Sequence, residues 1–211
     1  PIWIHFGAGN IFRAFPSALQ QQLLDTGESD RGIIVCEGYD YEIIERLYRP
    51  YDDLSLLVVL NADGSTEKRV IASIMESLVA DAENSADWQR LKEIFRKPSL
   101  QLASFTITEK GYSLSGSDGG YYPSVLEDFQ NGPESPESFM GKVSSLCYER
   151  YRAGRLPLAW VSMDNCSRNG EKIQNAIRTF AVEWAKRGLV DSGFPEYVDN
   201  PEKTSFQDRK S

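Results

Sequence analysis

Short apolar runs alternate with amphipathic segments along the first part of the chain. The apolar run at residues 2–6 stops at a glycine turn, residues 7–9, and apolar side chains then recur at helical spacing over residues 11–25. A second apolar run at residues 32–37 is followed by another helical pattern, which must end before Pro50. Two strands that flank a helix form a βαβ unit, so this pattern predicts a pair of parallel strands.

The later elements follow the same alternation after one interruption. An Asp-Gly turn at residues 61–64 separates two β-rich runs, 56–60 and 68–73, and predicts an inserted hairpin. Further strands are predicted at residues 100–107 and 157–163, and helices at 85–97, 135–154 and 168–188. The order predicts an α/β fold with a doubly wound, mostly parallel sheet, whose ligand crevice lies at the carboxyl ends of the strands. After Gly188 the periodicity fades.

Composition and charge exclude several classes of protein. The 211 residues are 41% apolar and 26% charged, which is ordinary for a globular domain. Acidic residues outnumber basic ones by 31 to 23, and the net charge of -8 gives no basic field for nucleic acid or anionic lipid. No apolar run reaches the roughly 18 to 20 residues that span a bilayer. We therefore expect no nucleic-acid partner and no membrane association.

Cysteine and histidine content indicates a cytoplasmic protein without a metal site. Cys36, Cys147 and Cys166 are widely spaced and odd in number, which does not fit a disulfide framework. Cys166 has no histidine partner nearby, so a thiolate nucleophile is not expected. The single histidine, His5, leaves no room for a histidine metal cluster or a Ser-His triad, and its place inside the first strand favours a structural role.

The glycine turn is the first candidate for ligand binding. Gly7 and Gly9 follow a strand and precede a helix, where main-chain N–H groups and the helix dipole hold a pyrophosphate in dinucleotide-binding folds. The third glycine of the usual motif is replaced by Phe12, so helix and strand must pack closely in another way. A plain tight turn between strand and helix is the alternative.

Charged residues near the turn extend this candidate site. Glu37 ends the second strand and could accept hydrogen bonds from an adenosine ribose, although it lies 28 residues after Gly9 instead of about 20. Asp40 competes for that role, and either acid could instead stabilise the N-terminus of the next helix. Arg13 stands in the first turn of a helix, where a cation opposes the dipole; it either meets an anionic ligand or is a solvated side chain.

Two polar clusters leave later strands of the predicted sheet. Residues 106–112 follow one strand and residues 162–165 follow the next, so both should reach the same crevice. The amide of Asn165 could donate to a carbonyl oxygen that gains negative charge on reduction. Its alternative is a turn or cap residue. Glu109 and Lys110 could instead be a solvated pair on a loop.

Three ordered motifs together resemble the N-terminal domain of the mannitol dehydrogenase family, the polyol-specific long-chain dehydrogenases. They are residues 4–15 (IHFGAGNIFRAF), 106–112 (TITEKGY) and 161–165 (VSMDN), the last continuing to the Asn-Gly-Glu at 169–171. The first and third motifs are most similar to the fructuronate reductase branch, which acts on mannonate and fructuronate. The likeness covers about 200 residues.

The resemblance implies a Rossmann-type domain that binds NAD and a metal-independent hydride transfer on a sugar alcohol or hexuronate. Asn165 matches the asparagine that completes the family's oxyanion site. The family's catalytic lysine stands on a helical C-terminal domain, which we expect to be missing from this chain; residues 1–190 would be the NAD-binding domain and 191–211 the truncated start of the connection. The implied cofactor-binding positions are Gly7, Ala8, Gly9, Asn10, Ile11, Phe12, Arg13, Glu37, Asp40, Thr106, Thr108 and Glu109.

Two other classes of protein share part of this pattern. A non-catalytic nucleotide-binding module would use the same glycine turn. A methyltransferase that uses S-adenosylmethionine also begins with a strand, Gly-x-Gly, a helix and an acid at the end of the second strand. The later motifs at 106–112 and 161–165 favour the dehydrogenase over the methyltransferase.

Overall fold

The computed structural model describes residues 2–165 and 167–208. Within these ranges the strands are β1 (Trp3–Phe6), β2 (Ile33–Glu37), β3 (Ser55–Leu60), β4 (Thr66–Ile71), β5 (Ile74–Val79), β6 (Leu102–Phe105), β7 (Leu158–Ser162) and β8 (Thr204–Asp208). The α-helices are α1 (Asn10–Ala14), α2 (Pro16–Asp25), α3 (Glu42–Leu47), α4 (Ser85–Arg96), α5 (Pro123–Asn131), α6 (Phe139–Arg152), α7 (Asn169–Lys186) and α8 (Phe194–Asp199). Single 3-10 turns span Arg49–Tyr51 and Glu109–Tyr112.

Six strands form one parallel sheet in the order β5-β2-β1-β6-β7-β8. The order reverses between β1 and β6, which is the strand order of doubly wound dinucleotide-binding folds. Helices cover both faces of the sheet. The predicted α/β fold with a doubly wound, parallel sheet is therefore confirmed, and the reversal places the expected crevice above β1 and β6.

The inserted hairpin is also confirmed, but the strand after it was missed. β3 and β4 pair antiparallel as a separate two-stranded sheet, with Leu60 opposite Thr66 at the turn. β5 then enters the main sheet parallel to β2, with Val35 opposite Ser77. Its sequence interrupts the apolar run with Glu76, which binds Arg90 of α4 through two hydrogen bonds of 2.7 and 3.0 Å. A strand that carries a paired surface carboxylate lacks the apolar pattern of a fully buried strand.

The last two elements also lie where periodicity had faded. α8 packs on α6 and α7, and β8 is the sixth strand of the sheet, with Ser205 opposite Ala159 of β7. β8 is an edge strand, and its polar Thr-Ser-Phe-Gln-Asp sequence gives no strand signal. The division of the chain at residue 190 stays a prediction, and its final residues 209–211 lie outside the described part.

Two apolar cores hold the layers together. The larger lies between one face of the sheet and α4, α6 and α7. Across it, aromatic rings of neighbouring strands stack in a row: Phe6 on Phe105 at 5.1 Å, Phe105 near Trp160 at 6.1 Å, and Trp160 near Phe206 at 6.3 Å between ring centroids. The smaller core includes Phe12 and lies on the opposite face, against α1 and α3. The row of rings ties β1, β6, β7 and β8 into one rigid platform.

The first helical segment buries polar side chains and exposes apolar ones, which is the reverse of a simple amphipathic helix. It breaks at Phe15 into α1 and α2, and Phe15 and Leu19 are 65% and 60% exposed, whereas Ser17 and Gln20 are buried. The buried polar groups are satisfied, because Gln20 donates to the carbonyl of Arg31 at 2.5 Å and to Ser29 at 2.9 Å. Buried hydrogen bonds therefore decide which face of α2 turns inward.

No helix in these two ranges has the length and apolar character that crossing a bilayer requires.

Candidate functional site

The strand ends at the reversal of the sheet are joined by main-chain hydrogen bonds. The N–H of Thr106 donates to Phe6 at 3.0 Å, and the N–H of Met163 donates to Phe105 at 2.8 Å. The glycine turn after β1 and the polar segments after β6 and β7 therefore meet at one edge. The structure thus brings together the three motifs that are far apart in the sequence.

Position 7 requires glycine because of its backbone conformation and its close contact with a neighbouring strand end. Its φ is +106°, a region that side chains of L-residues rarely adopt, and a Cβ there would lie 2.3 Å from the carbonyl oxygen of Thr106. The Gly7 N–H donates to the carbonyl of Cys36 at 2.9 Å. Gly7 therefore lets the turn lie close to the ends of both β2 and β6.

Gly9 is not required by the protein's own packing. Its φ of -73° suits any residue, and a Cβ built on it would meet no atom within 4 Å. α1 begins at the next residue, Asn10, so the N–H groups of the first helical turn face this open space. The open space beside Gly9 leaves room for a ligand to approach the backbone closely.

Glu37 is buried against the turn. Its carboxylate accepts hydrogen bonds from four N–H groups, those of Ala8 at 2.8 Å, Gly38 at 2.9 Å, Tyr39 at 2.9 Å and Asp40 at 3.4 Å. The acid therefore links the glycine turn to the loop after β2, and its remaining acceptor capacity faces that loop. Asp40 lies exposed in the same loop, ahead of α3.

The aromatic residue in place of the third glycine packs on His5. Phe12 is buried, and its ring stacks on the imidazole with centroids 4.4 Å apart. His5 is fully buried and hydrogen-bonds to Ser104 at 2.6 Å and Thr106 at 2.8 Å, and burial lowers its pKa to about 3. The structural role predicted for His5 is confirmed, and this stack provides the close contact between helix and strand that a glycine would otherwise permit.

Arg13 and Asn10 lie on the solvent side of α1. Arg13 donates from Nη2 to Asn10 Oδ1 at 2.5 Å, while its Nε is buried and has no hydrogen-bond partner in the described part of the chain. Ile11 beside them is exposed, and Ala8 in the turn is buried. The guanidinium thus retains hydrogen-bonding capacity next to the glycine turn.

The segment after β6 divides into a buried part and an exposed part. Thr106 contacts His5 and donates to the carbonyl of Gly7 at 3.4 Å, whereas Thr108 is the residue before the 3-10 turn. Glu109 is exposed and forms an ion pair of 2.7 Å with Lys172 of α7, which holds its pKa below the usual value. Glu109 and Lys110 were considered as a solvated pair on a loop, but the ion-pair partner of Glu109 is Lys172 of α7.

A buried polar network holds the end of β7. Asp164 accepts a hydrogen bond of 2.5 Å from the hydroxyl of Tyr112 and one of 2.9 Å from the N–H of Ile107. Tyr112 also lies 3.0 Å from Ser162, and burial raises the pKa of Asp164. Asn165, the next residue, is exposed at the same edge. Cys166, for which no nucleophilic role was expected, lies outside the described residues.

An open cleft of about 1060 Å³ begins at Gly38 and Tyr39, directly after Glu37, and its size suits a small-molecule ligand. Its walls come from the loops after β2, β5 and β6 and from α5 and α6. Sequence reasoning missed this cleft, because it missed β5 and α5. The available signal was Asp81, an acid two residues after the unassigned run of residues 74–79. In the two described ranges no group of three or more His, Cys, Asp or Glu side chains could hold a metal ion.

Comparison with known proteins adds sequence and structural relatives. The profile of the family described as mannitol dehydrogenase Rossmann domain matches residues 1–199. D-mannonate oxidoreductase of Thermotoga maritima is 54% identical over 199 residues, which is 94% of this chain and 37% of that protein. Mannitol 2-dehydrogenase of Cereibacter sphaeroides is 27% identical, covering 82% of this chain and 36% of that protein.

A solved relative has the same fold. The structure of Pseudomonas fluorescens mannitol 2-dehydrogenase, a ternary complex with NAD and D-mannitol, superposes with a TM-score of 0.78 at 29% identity and covers 97% of this chain and 40% of that one. The chain therefore spans well under half the length of the relatives that it matches.

Proposed function

Since the chain belongs to the mannitol dehydrogenase family, we propose that it is the NAD-binding domain of a metal-independent dehydrogenase. The reaction interconverts a sugar alcohol or aldonate with the corresponding ketose or ketouronate. The observation that carries the proposal is the open space beside Gly9, at the switch point of a doubly wound sheet. A plain tight turn would not need a glycine at this position, because neither the φ of -73° nor a neighbouring atom requires one.

The residues at the turn fit a dinucleotide. Main-chain N–H groups from Gly9 onward hold the pyrophosphate, and Arg13 adds a positive charge beside it. Glu37, or Asp40 next to it, accepts a hydrogen bond from the adenosine ribose. NAD, when bound, supplies the site that accepts or delivers the hydride.

Asn165 is proposed as the residue of this domain that acts on the substrate. Its amide donates to the carbonyl oxygen, which becomes more negative during reduction. The general acid or base is proposed to be a lysine of a second domain. The branch that acts on mannonate and fructuronate is favoured, because the Thermotoga maritima relative is 54% identical whereas the mannitol dehydrogenase of Cereibacter sphaeroides is 27% identical.

We place the whole enzyme in the cytoplasm. Cys36 and Cys147 are free and buried, and burial raises the pKa of both thiols, as suits structural cysteines in a reducing compartment. Small sugar alcohols or hexuronates are its proposed partners. The connection to the proposed substrate domain begins near residue 190, and its α8 and β8 still pack against the domain proposed to bind NAD.

The test compares Gly9→Ala with Gly120→Ala for NADH binding by calorimetry. Gly120 is a matched control, since a Cβ there makes only ordinary contacts of 3.6 Å or more with Asp118. We expect Gly9→Ala to keep the melting temperature but to weaken NADH binding about tenfold or more, or about 1.4 kcal/mol, because the methyl occupies the approach to the pyrophosphate. Gly120→Ala should bind as the wild type does.

Unchanged NADH affinity in Gly9→Ala would contradict a pyrophosphate at this turn. A wild-type chain that binds S-adenosylmethionine in competition with NADH, and more tightly, would indicate a methyltransferase instead. Binding of NADH by a protein whose complete form oxidises no polyol or aldonate would indicate a nucleotide-binding module.

A further inference from the structure

The large cleft is lined by Gly38 and Tyr39, whose N–H groups bind the same Glu37 carboxylate as the N–H of Ala8 in the glycine turn. Its walls include the loops after β2 and β5, which belong to the first half of the doubly wound sheet. In such sheets the acid at the end of the second strand contacts the ribose of the adenosine. If the turn holds the pyrophosphate of NAD, as proposed above, the cleft receives the adenosine end.

A buried lysine faces this cleft. Lys142 of α6 lines it and is only 5% exposed, and burial lowers the pKa of its ammonium group. Its Nζ donates to the hydroxyl of Tyr41 at 2.6 Å, and that hydroxyl donates to the carbonyl of Ala80 at 3.2 Å. The lysine is thereby held at the carboxyl end of β5.

Lys142 has no counter-ion at contact distance. Among the described residues no carboxylate lies within 4 Å of its Nζ, although Asp81, Asp128 and Glu137 act on it from farther away. A buried ammonium group has three N–H donors, and burying a charge without a partner is unfavourable. The Nζ of Lys142 lies 5.3 Å from the centroid of the Tyr41 ring and has one neutral acceptor, the Tyr41 hydroxyl, so donor capacity is left for a ligand in the cleft that Lys142 lines.

A second buried lysine shows the contrast. Lys92 of α4 is 4% exposed, but it forms an ion pair of 3.2 Å with Glu134 and lies over the ring of Trp88. It does not line the cleft. Both lysines lie over an aromatic ring, so the difference is the carboxylate: Lys92 pairs with Glu134, whereas no carboxylate of the described residues lies within 4 Å of Lys142 Nζ.

We propose that Lys142, held by Tyr41, recognises the adenosine end of the bound dinucleotide. Its Nζ donates to an acceptor atom of the adenosine and so gains the partner that the protein does not provide. The inference rests on the proposed function, because it takes the ligand of the cleft to be NAD. Lys142 of α6 would thus contact the dinucleotide in addition to the glycine turn and Glu37.

The experiment measures binding of NADH, ADP-ribose and reduced nicotinamide mononucleotide to the 211-residue chain by calorimetry. ADP-ribose carries the adenosine end, and the mononucleotide lacks it. The variants are Lys142→Met and the matched control Lys92→Met, with melting temperatures recorded for both. We expect Lys142→Met to weaken NADH and ADP-ribose at least tenfold and to leave the mononucleotide unchanged. Lys92→Met should leave all three affinities unchanged.

Tyr41→Phe provides a second test that does not depend on the folding of Lys142→Met. Tyr41 is only partly buried, so the variant keeps the fold, while Nζ loses the hydroxyl that positions it. We expect a threefold or greater loss of ADP-ribose affinity with no change for the mononucleotide.

The possible failures are distinguishable. A wild-type chain that does not bind NADH refutes the proposed function and the inference with it. Wild-type binding of NADH together with unchanged ADP-ribose affinity in Lys142→Met and Tyr41→Phe refutes only the inference. Equal losses for ADP-ribose and the mononucleotide, or equal losses in Lys92→Met, would show a general structural effect and also refute it.

Discussion

The two glycines of the turn after β1 serve different purposes. Gly7 meets the carbonyl of Thr106 and has a positive φ, so the folded protein itself excludes any other residue. Gly9 has an ordinary φ and open space, so only a ligand would exclude a side chain there. The sequence motif presents both glycines as equivalent, and only their surroundings separate structure from binding.

His5 makes stability depend on pH in a defined direction. Its pKa is about 3 in the folded protein and 6.5 ordinarily, so the unfolded chain binds the extra proton between these values. Unfolding therefore becomes easier as pH falls below 6.5. His5 is the chain's single histidine, so no other histidine contributes in this range. We expect the free energy of unfolding to fall by about 2 kcal/mol between pH 7.5 and 5.

Urea unfolding of the wild type and of His5→Gln at both pH values checks this expectation. The variant should be less stable at pH 7.5, since the buried contacts with Ser104 and Thr106 are disturbed. It should nevertheless lose much less stability on going to pH 5. Equal losses in the two proteins would assign the pH dependence to the carboxyl groups and not to His5.

At the scale of elements, α1 and α2 show that periodicity alone does not decide which face is buried. The side chains of residues 11, 15, 19 and 23 repeat every four positions and form an apolar stripe, yet all are exposed. The opposite face instead meets the segment between β4 and β5, where Ser73 donates to the carbonyl of Ser17 at 2.7 Å and Gln21 accepts from the N–H of Ala72 at 2.7 Å.

Replacing exposed members of this stripe should change the surface without destabilising the fold. We expect Phe15→Ser and Leu19→Ser to reduce binding of the dye ANS, while the melting temperature changes by less than about 3 °C, because the side chains bury little area in the folded chain. Phe12→Ser is the contrasting variant; its buried ring should cost about 3 kcal/mol or more. A large loss of stability in Leu19→Ser would contradict the exposure of this face.

At the scale of the whole molecule, the site is divided between what this chain contains and what its relatives carry beyond it. The chain spans 37% of the length of the Thermotoga maritima relative. We propose that the glycine turn, Glu37 and Asn165 are the part of the site that this chain supplies, and that the catalytic lysine lies in a second domain. Binding and turnover should therefore be separable.

We expect the 211-residue chain to bind NADH without reducing fructuronate. The proposed general acid or base of the second domain contributes about 10² to 10⁴-fold in rate. The same domain is proposed to supply contacts that hold the substrate. Loss of NADH absorbance is the measurement, with a full-length relative as the positive control. Steady turnover by the 211 residues alone would contradict the proposed division of roles.

The fold class was predictable because apolar runs and amphipathic segments alternate in β-α order. Each kind of segment is recognised from neighbouring residues alone. β5, α5, α8 and β8 were not, for identifiable reasons. β5 carries Glu76, whose charge is neutralised by Arg90 of another element, and β8 is a polar edge strand. A local sequence pattern does not show that a strand residue has an ion-pair or pairing partner on a distant element.

The sequence by itself determined the glycine turn, the three motifs and the doubly wound order, because these depend on residue type, spacing and chain direction. Only the tertiary structure decided that Gly9 borders open space, that four main-chain N–H groups bind Glu37, and that Lys142 lines a cleft with no described carboxylate within 4 Å of its Nζ. Each of these facts depends on atoms from separate strands and helices. The distances between such atoms are set by the packing of the elements and not by the sequence of any one of them.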